Sequence, residues 1–506
     1  MGFHLSRSTF WLCPTLALLL SSTAHAQLEW GTYSFDKQQL ASDGVNQDYY
    51  GMALDVSGDR AVVAAPRKSV GAGLDGQIYV YARNLGGSNN WGELYKLASP
   101  IPAIGELFGS AVALSSTTLV VGAPGHDSAT SDTGIVYYRD APSGAPLGTF
   151  ANPDPLQFLN VGRALAIDGG EVIVGADRRL FAPFYQPFIG AAFLTDATGT
   201  LLHTLAASDG ATGHNFGMAV AIGGGYCAVG ARNANGAVFN SGAVYVYDTA
   251  TGLQLHKLIA PAGLAFEEFG ASLSIDAGKL LVGAPNHFIG SGLSGEVFLF
   301  DLATGALDVQ FSPPPGGGFR FGNSVALADG KAYIGDLYSI SSFSGRVWQI
   351  DLGYGSATCE YQDSRMPKVS GFAESLAADG TTIFTGSTDY PYASGLSGKR
   401  GAAFVMERQE LGLGTNLDQL FASQDQAILK LHGGKVAAPC AFVLTKVNGT
   451  PTFTLLTLAA FSPVGKYNQV FPPTPSLAGL TIEVTGGGID QTGGLSFTNP
   501  RVMQFF

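Results

Sequence analysis

The chain has 506 residues, which exceeds a typical single domain of about 100 to 200 residues and leaves room for one large repeat domain plus an accessory domain. Charged residues make up 13% of the chain and hydrophobic residues 46%, a composition that excludes an intrinsically disordered protein. The net charge of -12, without a run of five or more Lys or Arg residues, argues against binding to nucleic acid or to an anionic membrane surface.

The first 26 residues have the pattern of a secretory signal peptide. Arg7 is followed by an apolar stretch from Phe10 to Leu20 and by small residues that end at Ala26. This stretch is shorter than the roughly 20 apolar residues that a membrane-spanning helix needs. We therefore predict cleavage after Ala26, no membrane span, and a mature protein that is secreted, periplasmic or held at the cell surface.

Three cysteines remain after this cleavage, in a compartment that permits disulfides. Cys227 lies in an apolar strand-like run, which is typical of a buried thiol. Cys359 and Cys440 are free to pair or to stay reduced, because nothing in the sequence fixes the distance between them.

Seven copies of one β-rich repeat follow, between residues 28 and 408. Each copy opens with an aromatic-glycine pair or a degenerate version of it, and a Gly-Ala-Pro-like triplet begins thirteen residues after the second member. The pairs are Tyr50-Gly51, Phe108-Gly109, Val161-Gly162, Phe216-Gly217, Phe269-Gly270, Phe321-Gly322 and Phe372-Ala373; the triplets begin at Ala64, Gly122, Gly175, Gly230, Gly283, Gly335 and Gly386. The spacing stays constant while the copies differ in length, so the constant part is predicted to be a β-hairpin and the variable part loops.

Each copy also contains a second glycine before an aromatic-rich third strand, and six copies are followed by a fourth strand. Four strands per copy is the pattern of a propeller blade. The seventh copy lacks a fourth strand, but residues Tyr33 to Leu40 resemble one. We predict an all-β fold in which residues 27–408 form a seven-bladed β-propeller of four-stranded blades, closed by this N-terminal strand.

The aromatic-glycine openings, the triplets and pairs such as Ser241-Gly242 before the third strand resemble the FG-GAP repeat. This is the propeller repeat of integrin α-subunits and of many exported bacterial proteins. The resemblance covers residues 28 to 408 and implies an extracellular recognition or adhesion module.

The turn between the first two strands departs from the integrin pattern, in which an Asp-rich loop often binds Ca²⁺. A Ca²⁺ ion needs six to eight oxygen ligands. Turns such as Asp168-Gly169-Gly170 and Asp379-Gly380 hold one carboxylate, so we predict hairpin-forming turns, no metal site and no cofactor. A metal held by His126, Asp127 and Asp132 is the alternative to a solvated polar loop at that place.

The sequence contains no Gly-x-Ser-x-Gly, His-Glu-x-x-His or phosphate-binding Gly-Lys motif, and we predict that the protein is not an enzyme. Two pairs of histidines, His203 with His256 and His126 with His287, each share one repeat position, which indicates structural roles. The rival hypothesis is a polysaccharide lyase or hydrolase, and a hydrolase needs two carboxylates about 5 to 10 Å apart. The candidates near the loops are Glu106, Asp177, Glu267, Glu268 and Asp336.

Recognition is expected on one face of the propeller, where the loops between strands two and three and the loops that enter the next blade converge. The candidate ligand-binding residues are Arg178, Arg179, Phe184, Tyr185, His214, Phe239, His287, Phe288, Tyr338, Tyr390 and Tyr392. Exposed aromatic and Arg side chains suit protein hot spots or stacking on sugar rings, whereas packing of the same aromatics between blades is the alternative. We predict a monomeric, non-enzymatic binding or adhesion protein for an extracellular protein or glycan; a structural cell-surface component is a further possibility.

Beyond the propeller the repeat disappears. Residues 409–426 read as a linker, and residues 427–506 as short strands separated by Gly and Pro turns. This pattern predicts a small β-sandwich-like domain, whose role in attachment, sorting or capping stays open.

Overall fold

The computed structural model describes residues 33–71, 73–127, 132–153, 160–177, 189–261, 263–289, 292–313, 319–337, 345–352, 356–361, 372–380, 382–388 and 400–408, together with six strands beyond residue 426. Every regular element in these parts of the chain is a β-strand. Within them, the structure contains no helix with the length and apolarity to cross a membrane. The predicted signal peptide lies outside the described residues and stays a prediction.

The strands of residues 33–408 form seven four-stranded antiparallel sheets, the blades. Blade one consists of β2 (Leu54–Ser57), β3 (Arg60–Ala65), β4 (Gln77–Ala82) and β5 (Gly92–Ala98). Blade two consists of β6 (Ala111–Leu114), β7 (Thr118–Ala123), β8 (Ile135–Asp140) and β9 (Pro146–Ala151). Blade three consists of β10 (Val161–Asp168), β11 (Glu171–Ala176), β12 (Ala191–Asp196) and β13 (Leu201–Leu205).

The remaining blades repeat this order. Blade four consists of β14 (Phe216–Gly223), β15 (Tyr226–Ala231), β16 (Ala243–Asp248) and β17 (Gln254–Leu258). Blade five consists of β18 (Ser272–Asp276), β19 (Lys279–Ala284), β22 (Glu296–Asp301) and β23 (Leu307–Phe311), with a small hairpin of β20 (Phe288–Ile289) and β21 (Gly292–Leu293) in its loop. Blade six consists of β24 (Ser324–Ala328), β25 (Lys331–Asp336), β26 (Arg346–Asp351) and β27 (Ser356–Tyr361).

Blade seven contains strands from both ends of the propeller sequence. Its first three strands are β28 (Phe372–Asp379), β29 (Thr382–Ser387) and β30 (Ala402–Arg408), and the fourth is β1 (Tyr33–Gln39). β1 is antiparallel to β30, with Tyr33 opposite Arg408 and Gln39 opposite Ala403. The predicted seven-bladed propeller and its closure by the N-terminal strand are confirmed.

The hydrophobic core lies between neighbouring blades. One cluster joins Val63 and Tyr79 of blade one to Phe384 and Val405 of blade seven, and the other clusters join successive blades in the same way. Cys227, on the second strand of blade four, is fully buried and free, as predicted, and burial raises the pKa of its thiol to about 12. Cys440 lies outside the described residues, so both alternatives for Cys359 and Cys440 stand.

The repeated glycines lie where one blade meets the main chain of the next. A Cβ atom on Gly242, before the third strand of blade four, would lie 2.2 Å from the carbonyl oxygen of Phe269, which opens blade five. The same approach, 2.0 to 2.3 Å, occurs at all seven junctions: Gly76 with Phe108, Gly134 with Val161, Gly190 with Phe216, Gly242 with Phe269, Gly295 with Phe321, Gly345 with Phe372 and Gly401 with Tyr50. Only glycine permits this approach, because it has no Cβ atom.

The opening aromatic residue packs on the third strand of its own blade. Phe216 makes an edge contact with Tyr245, with ring centroids 5.6 Å apart, and Phe269 makes one with Phe298 at 5.3 Å. The aromatic-glycine pair therefore fixes the first strand within its blade while its main chain contacts the preceding blade.

The turns between the first and second strands of neighbouring blades contact each other. They lie on the face of the ring opposite the loops between strands two and three. The Asp168 carboxylate accepts a hydrogen bond from the Gly224 amide at 3.0 Å, and Asp379 accepts one from Gly58. The second contact joins blade seven to blade one. Asp168 and Asp379 therefore link neighbouring blades, which is a structural use for the single carboxylate of these two turns.

The strands beyond residue 426 belong to a second compact unit. They form three two-stranded antiparallel sheets: β31 (Ala427–His432) with β34 (Lys466–Phe471), β32 (Val443–Val447) with β33 (Thr450–Thr454), and β35 (Thr481–Ile489) with β36 (Leu495–Gln504). Their arrangement as a sandwich stays a prediction.

Replacing Gly242 by Ala should destabilise the propeller far more than replacing Gly225 by Ala. Both glycines have a positive φ, 95° and 84°, but a Cβ on Gly225 meets no atom within 4 Å. Gly225→Ala should therefore cost only the left-handed backbone penalty of about 1 to 2 kcal/mol. Gly242→Ala should cost at least about 2 kcal/mol more, because two main chains must separate. Urea unfolding measures both, and equal losses would contradict the close-contact role.

Removing residues 27–41 should abolish cooperative unfolding of the propeller, because β30 would then expose an unpaired edge and the ring would lose its closing sheet. The control is a chain that begins at residue 27 and keeps β1. Thermal unfolding followed by circular dichroism makes the comparison. A folded, monomeric deletion product would show that closure by β1 is dispensable.

Candidate binding face

Antiparallel order places two sets of loops on one face of the ring. The loop between the second and third strands and the loop that enters the next blade both lie there, and we call this the loop face. Most of the exposed large apolar residues in the described parts of the chain are on these loops: Val45, Val70, Leu74, Ile101, Ile104, Ile189, Val238, Phe239, Ile259, Leu264 and Phe266. Among the residues that the structure describes, exposed apolar side chains are therefore concentrated on the loop face.

Beneath this surface, each of three blades contains a buried pair of an acidic and a basic side chain. The acid lies three residues before the second residue of the opening pair, and the base lies twenty residues after the acid, in the loop between strands two and three. The pairs and their nitrogen–oxygen distances are Asp48–Lys68 at 3.3 Å, Glu106–His126 at 3.3 Å and Glu267–His287 at 2.6 Å. Each pair ties together the two loops that its blade presents.

These pairs act on loop geometry more than on net stability. All three acids are fully buried, so removing the base would leave a carboxylate without its partner. Breaking a buried pair costs about 3 to 5 kcal/mol, although an intact pair adds little over apolar packing. The sequence holds a signal for them, the constant spacing of twenty residues, which sequence reasoning missed by treating the acids and the histidines separately.

His287 has a second carboxylate neighbour. Its Nδ1 lies 2.6 Å from Glu267, and its Nε2 lies 3.4 Å from Glu296, which begins the third strand of blade five. Gln310 and Ser312 donate hydrogen bonds to Glu296. The hydrogen bond to Glu267 raises the pKa of His287, and the Glu296 carboxylate adds to this effect although burial opposes it.

No group of three or more His, Cys, Asp or Glu side chains with the arrangement of a metal site occurs among the residues that the structure describes. At the loop considered above, the Asp127 carboxylate accepts a hydrogen bond from the Asp132 amide at 2.8 Å. The Asp127 carboxylate is therefore engaged in a hydrogen bond within its own loop.

A second polar arrangement recurs in blades one and four. The Tyr79 hydroxyl donates to Asp43 at 2.6 Å, and Lys96 donates to the same carboxylate at 2.6 Å. Burial acts against ionisation, but the hydrogen bonds from Lys96 and Tyr79 lower the pKa of Asp43 to about 2. Asp209 binds Tyr245 at 2.6 Å and Lys257 at 2.7 Å in the same way. Recurrence at equivalent positions marks this triad as part of the scaffold.

The five carboxylates considered for a glycosidase each have a close protein partner. Glu106 pairs with His126, Asp177 with Arg163, Glu267 with His287, and Glu268 with Arg232 and Arg320, while Asp336 accepts a hydrogen bond from the Trp348 indole. All except Glu268 are fully buried. Their placement is that of ion pairs and hydrogen bonds within the scaffold.

The predicted ligand-binding residues divide into three groups. Arg178, Arg179, Phe184, Tyr185, Tyr338, Tyr390 and Tyr392 lie outside the described residues, and for Phe288 the structure describes the main chain in β20 alone. His214 is 7% exposed and its Nδ1 accepts a hydrogen bond from the Ala211 amide at 3.2 Å, while His287 lies in the cluster described above. Phe239 is 66% exposed. The binding role of all these residues stays a prediction.

Phe239 has an exposed aromatic neighbour that sequence reasoning missed. Phe266, 58% exposed, lies on the loop that enters blade five, and the two rings are perpendicular with centroids 6.2 Å apart. The Phe266 amide donates to the Asn240 carbonyl at 2.9 Å, which holds the two loops together. The sequence signal was its position directly before Glu267, which the sequence had marked as an acid near the loops.

Comparison with known proteins identifies the repeat. The family model described as "FG-GAP repeat" matches residues 35–81, 91–138 and 200–247, and each match runs from the fourth strand of one blade through the first three strands of the next. Three segments of the seven-bladed propeller therefore match the FG-GAP repeat.

No curated protein matches the chain. One solved structure, titled "Crystal Structure of Mitotic Checkpoint Complex", contains a chain that is 14% identical with a TM-score of 0.45, over 81% of this chain and 98% of that chain. This similarity is too weak to support an argument about function.

Replacing His287 by Gln should change how stability depends on pH. The pKa of His287 in the folded protein is raised above its ordinary value of 6.5. The stability that the charged imidazole contributes is therefore fully present below about pH 6.5 and is lost as the pH rises through the folded value. The difference in unfolding free energy between wild type and His287→Gln should shrink from pH 6 to pH 9.

Urea unfolding at a series of pH values measures this difference. His203→Gln is the control for loss of a histidine, because its ring contacts the Ala250 carbonyl of the next blade, at 3.2 Å, in place of a buried acid. A His287 difference that grows with pH would contradict the assignment.

Proposed function

We propose that this protein is an exported, non-enzymatic binding protein that recognises an extracellular protein or glycan through the loop face of its propeller. The FG-GAP propeller scaffold fits a binding or structural role. The observation that carries the proposal is the concentration of exposed apolar side chains on the loop face, above loops that buried acid–base pairs hold in place. Contiguous exposed apolar surface on a folded protein marks interaction sites.

The burial of the candidate carboxylates supports binding over polysaccharide cleavage. A glycosidase holds its acid and its nucleophile or base at the surface of a cleft that receives the sugar. Glu106 and Glu267 instead face basic partners beneath the loops. A calcium cofactor also finds little support, because the turn aspartates Asp168 and Asp379 accept hydrogen bonds from neighbouring blades.

The test is to probe an array of extracellular proteins and glycans with the mature chain, residues 27–506, and then to map the bound face by hydrogen exchange. We expect binding without product release. Amides of residues 99–105 and 233–241, two loop-face segments that carry exposed apolar side chains, should become protected. Residues 57–59 and 223–225, in the turns of the opposite face, are the internal control and should not change. Release of a cleaved product, or protection confined to the opposite turns, would refute the proposal.

A further inference from the structure

The loop face carries two separate apolar patches, each formed where the loop of one blade meets the loop that enters the next. The aromatic patch, at the junction of blades four and five, consists of Val238, Phe239, Leu264 and Phe266. The aliphatic patch, at the junction of blades one and two, consists of Val70, Leu74, Ile101 and Ile104, with Ile104 79% exposed. In the aliphatic patch, the Gly105 amide donates to the Gly73 carbonyl at 3.2 Å, and this hydrogen bond holds the two loops side by side.

Neither patch contains a charged residue. Residues 233–241 and 259–266, which form the aromatic patch, include no Asp, Glu, Lys or Arg, and neither do residues 69–74 and 99–105, which form the aliphatic patch. The nearest acids along the chain, Asp75, Glu106 and Glu267, are fully buried. The Lys257 ammonium, which donates to the Asn235 carbonyl at 3.0 Å beside the aromatic patch, is neutralised by the Asp209 carboxylate at 2.7 Å. In a chain with a net charge of -12, two uncharged surfaces on one face favour a partner that is itself uncharged where it touches them.

The composition of the patches also distinguishes the kind of partner. Sugar rings are recognised by stacking on aromatic faces, yet the aliphatic patch has no aromatic residue and the aromatic patch is half aliphatic. Anionic lipid surfaces attract clustered Lys and Arg, which the patch segments lack. Apolar side chains of a protein can pack on both patches, and burial of aromatic and aliphatic anchors is how protein partners gain affinity.

We propose that the aromatic patch is a docking site for an uncharged, apolar segment of a protein partner, with Phe239 and Phe266 as its anchors. This inference rests on the proposed function and deepens it by naming the site and the class of ligand. The two exposed rings lie side by side, with centroids 6.2 Å apart and planes at 82°, so one apolar side chain of the partner can cover both.

A phage-displayed library of random peptides, selected on the mature chain and counter-selected on the Phe239→Ser/Phe266→Ser variant, tests this inference. We expect enrichment of uncharged sequences with two or more large apolar residues. Binding of the selected peptides should weaken about tenfold or more in the variant. Leu253→Ser is the matched control, because Leu253 is also 66% exposed but lies at the outer strand of blade four. That variant should bind the peptides as the wild type does.

Several results would overturn the inference. The selection contradicts it if no enriched peptide depends on the patch, or if the enriched peptides are charged. Patch-dependent binding to neutral glycans on an array, or to phosphatidylcholine vesicles, would also contradict it. Concentration-dependent self-association in sedimentation, lost in the double variant, would identify a second copy as the occupant and would also overturn it. Unchanged thermal unfolding of the variants shows that folding is intact. If a ligand from the extracellular array still binds the loop face of the double variant, the proposed function stands and this inference fails.

Discussion

The close contact between a glycine of one blade and the main chain of the next is the constraint on which this ring depends. At each junction the glycine before the third strand approaches the carbonyl oxygen of the next opening residue, so closely that a methyl group would overlap it. In six of the seven blades the triplet begins with a glycine that makes a similar approach, as Gly230 does to the Gly270 carbonyl at 2.2 Å. The thirteen-residue spacing is the length of the hairpin within one blade, in which the amide of the opening glycine donates to the carbonyl of the residue that begins the triplet, as Gly270 does to Gly283 at 3.0 Å.

Where a copy departs from the pattern, the junction changes with it. Ala373 takes the place of the opening glycine in blade seven and adopts φ 63°, the left-handed region that costs a residue with a Cβ about 1 to 2 kcal/mol. Across that junction, the distance from a Cβ on Gly335 to the Ala373 carbonyl is 2.8 Å, longer than at Gly230. The ring tolerates this copy because the opening Phe372 still packs on Phe404, with centroids 5.5 Å apart.

The fold was largely predictable from the sequence, and the candidate site was not. Glycine spacing reports close main-chain contacts directly, and the missing fourth strand of the seventh copy predicted that β1 would close the ring. Glu267 pairs with His287 because two loops converge in space. The sequence indicates on which face these loops lie, but not which of their side chains meet. The exposure of Phe239 was equally hidden, because a loop phenylalanine suits a blade interface as well as a surface. Phe266 passed unnoticed for the same reason.

The buried pairs and the exposed patches belong to the same loops, and this explains why a rigid scaffold can present an apolar surface. Phe266 precedes Glu267, which His287 anchors, and Ile104 lies two residues before Glu106, which His126 anchors. A side chain on an anchored loop loses less conformational entropy when a partner covers it, so more of its apolar burial becomes affinity. The apolar residues are also kept from collapsing inward, because the buried acid and its basic partner already fill the position beside them. The loops can therefore vary their outer residues between blades while the inner acid–base contact keeps the main chain in place.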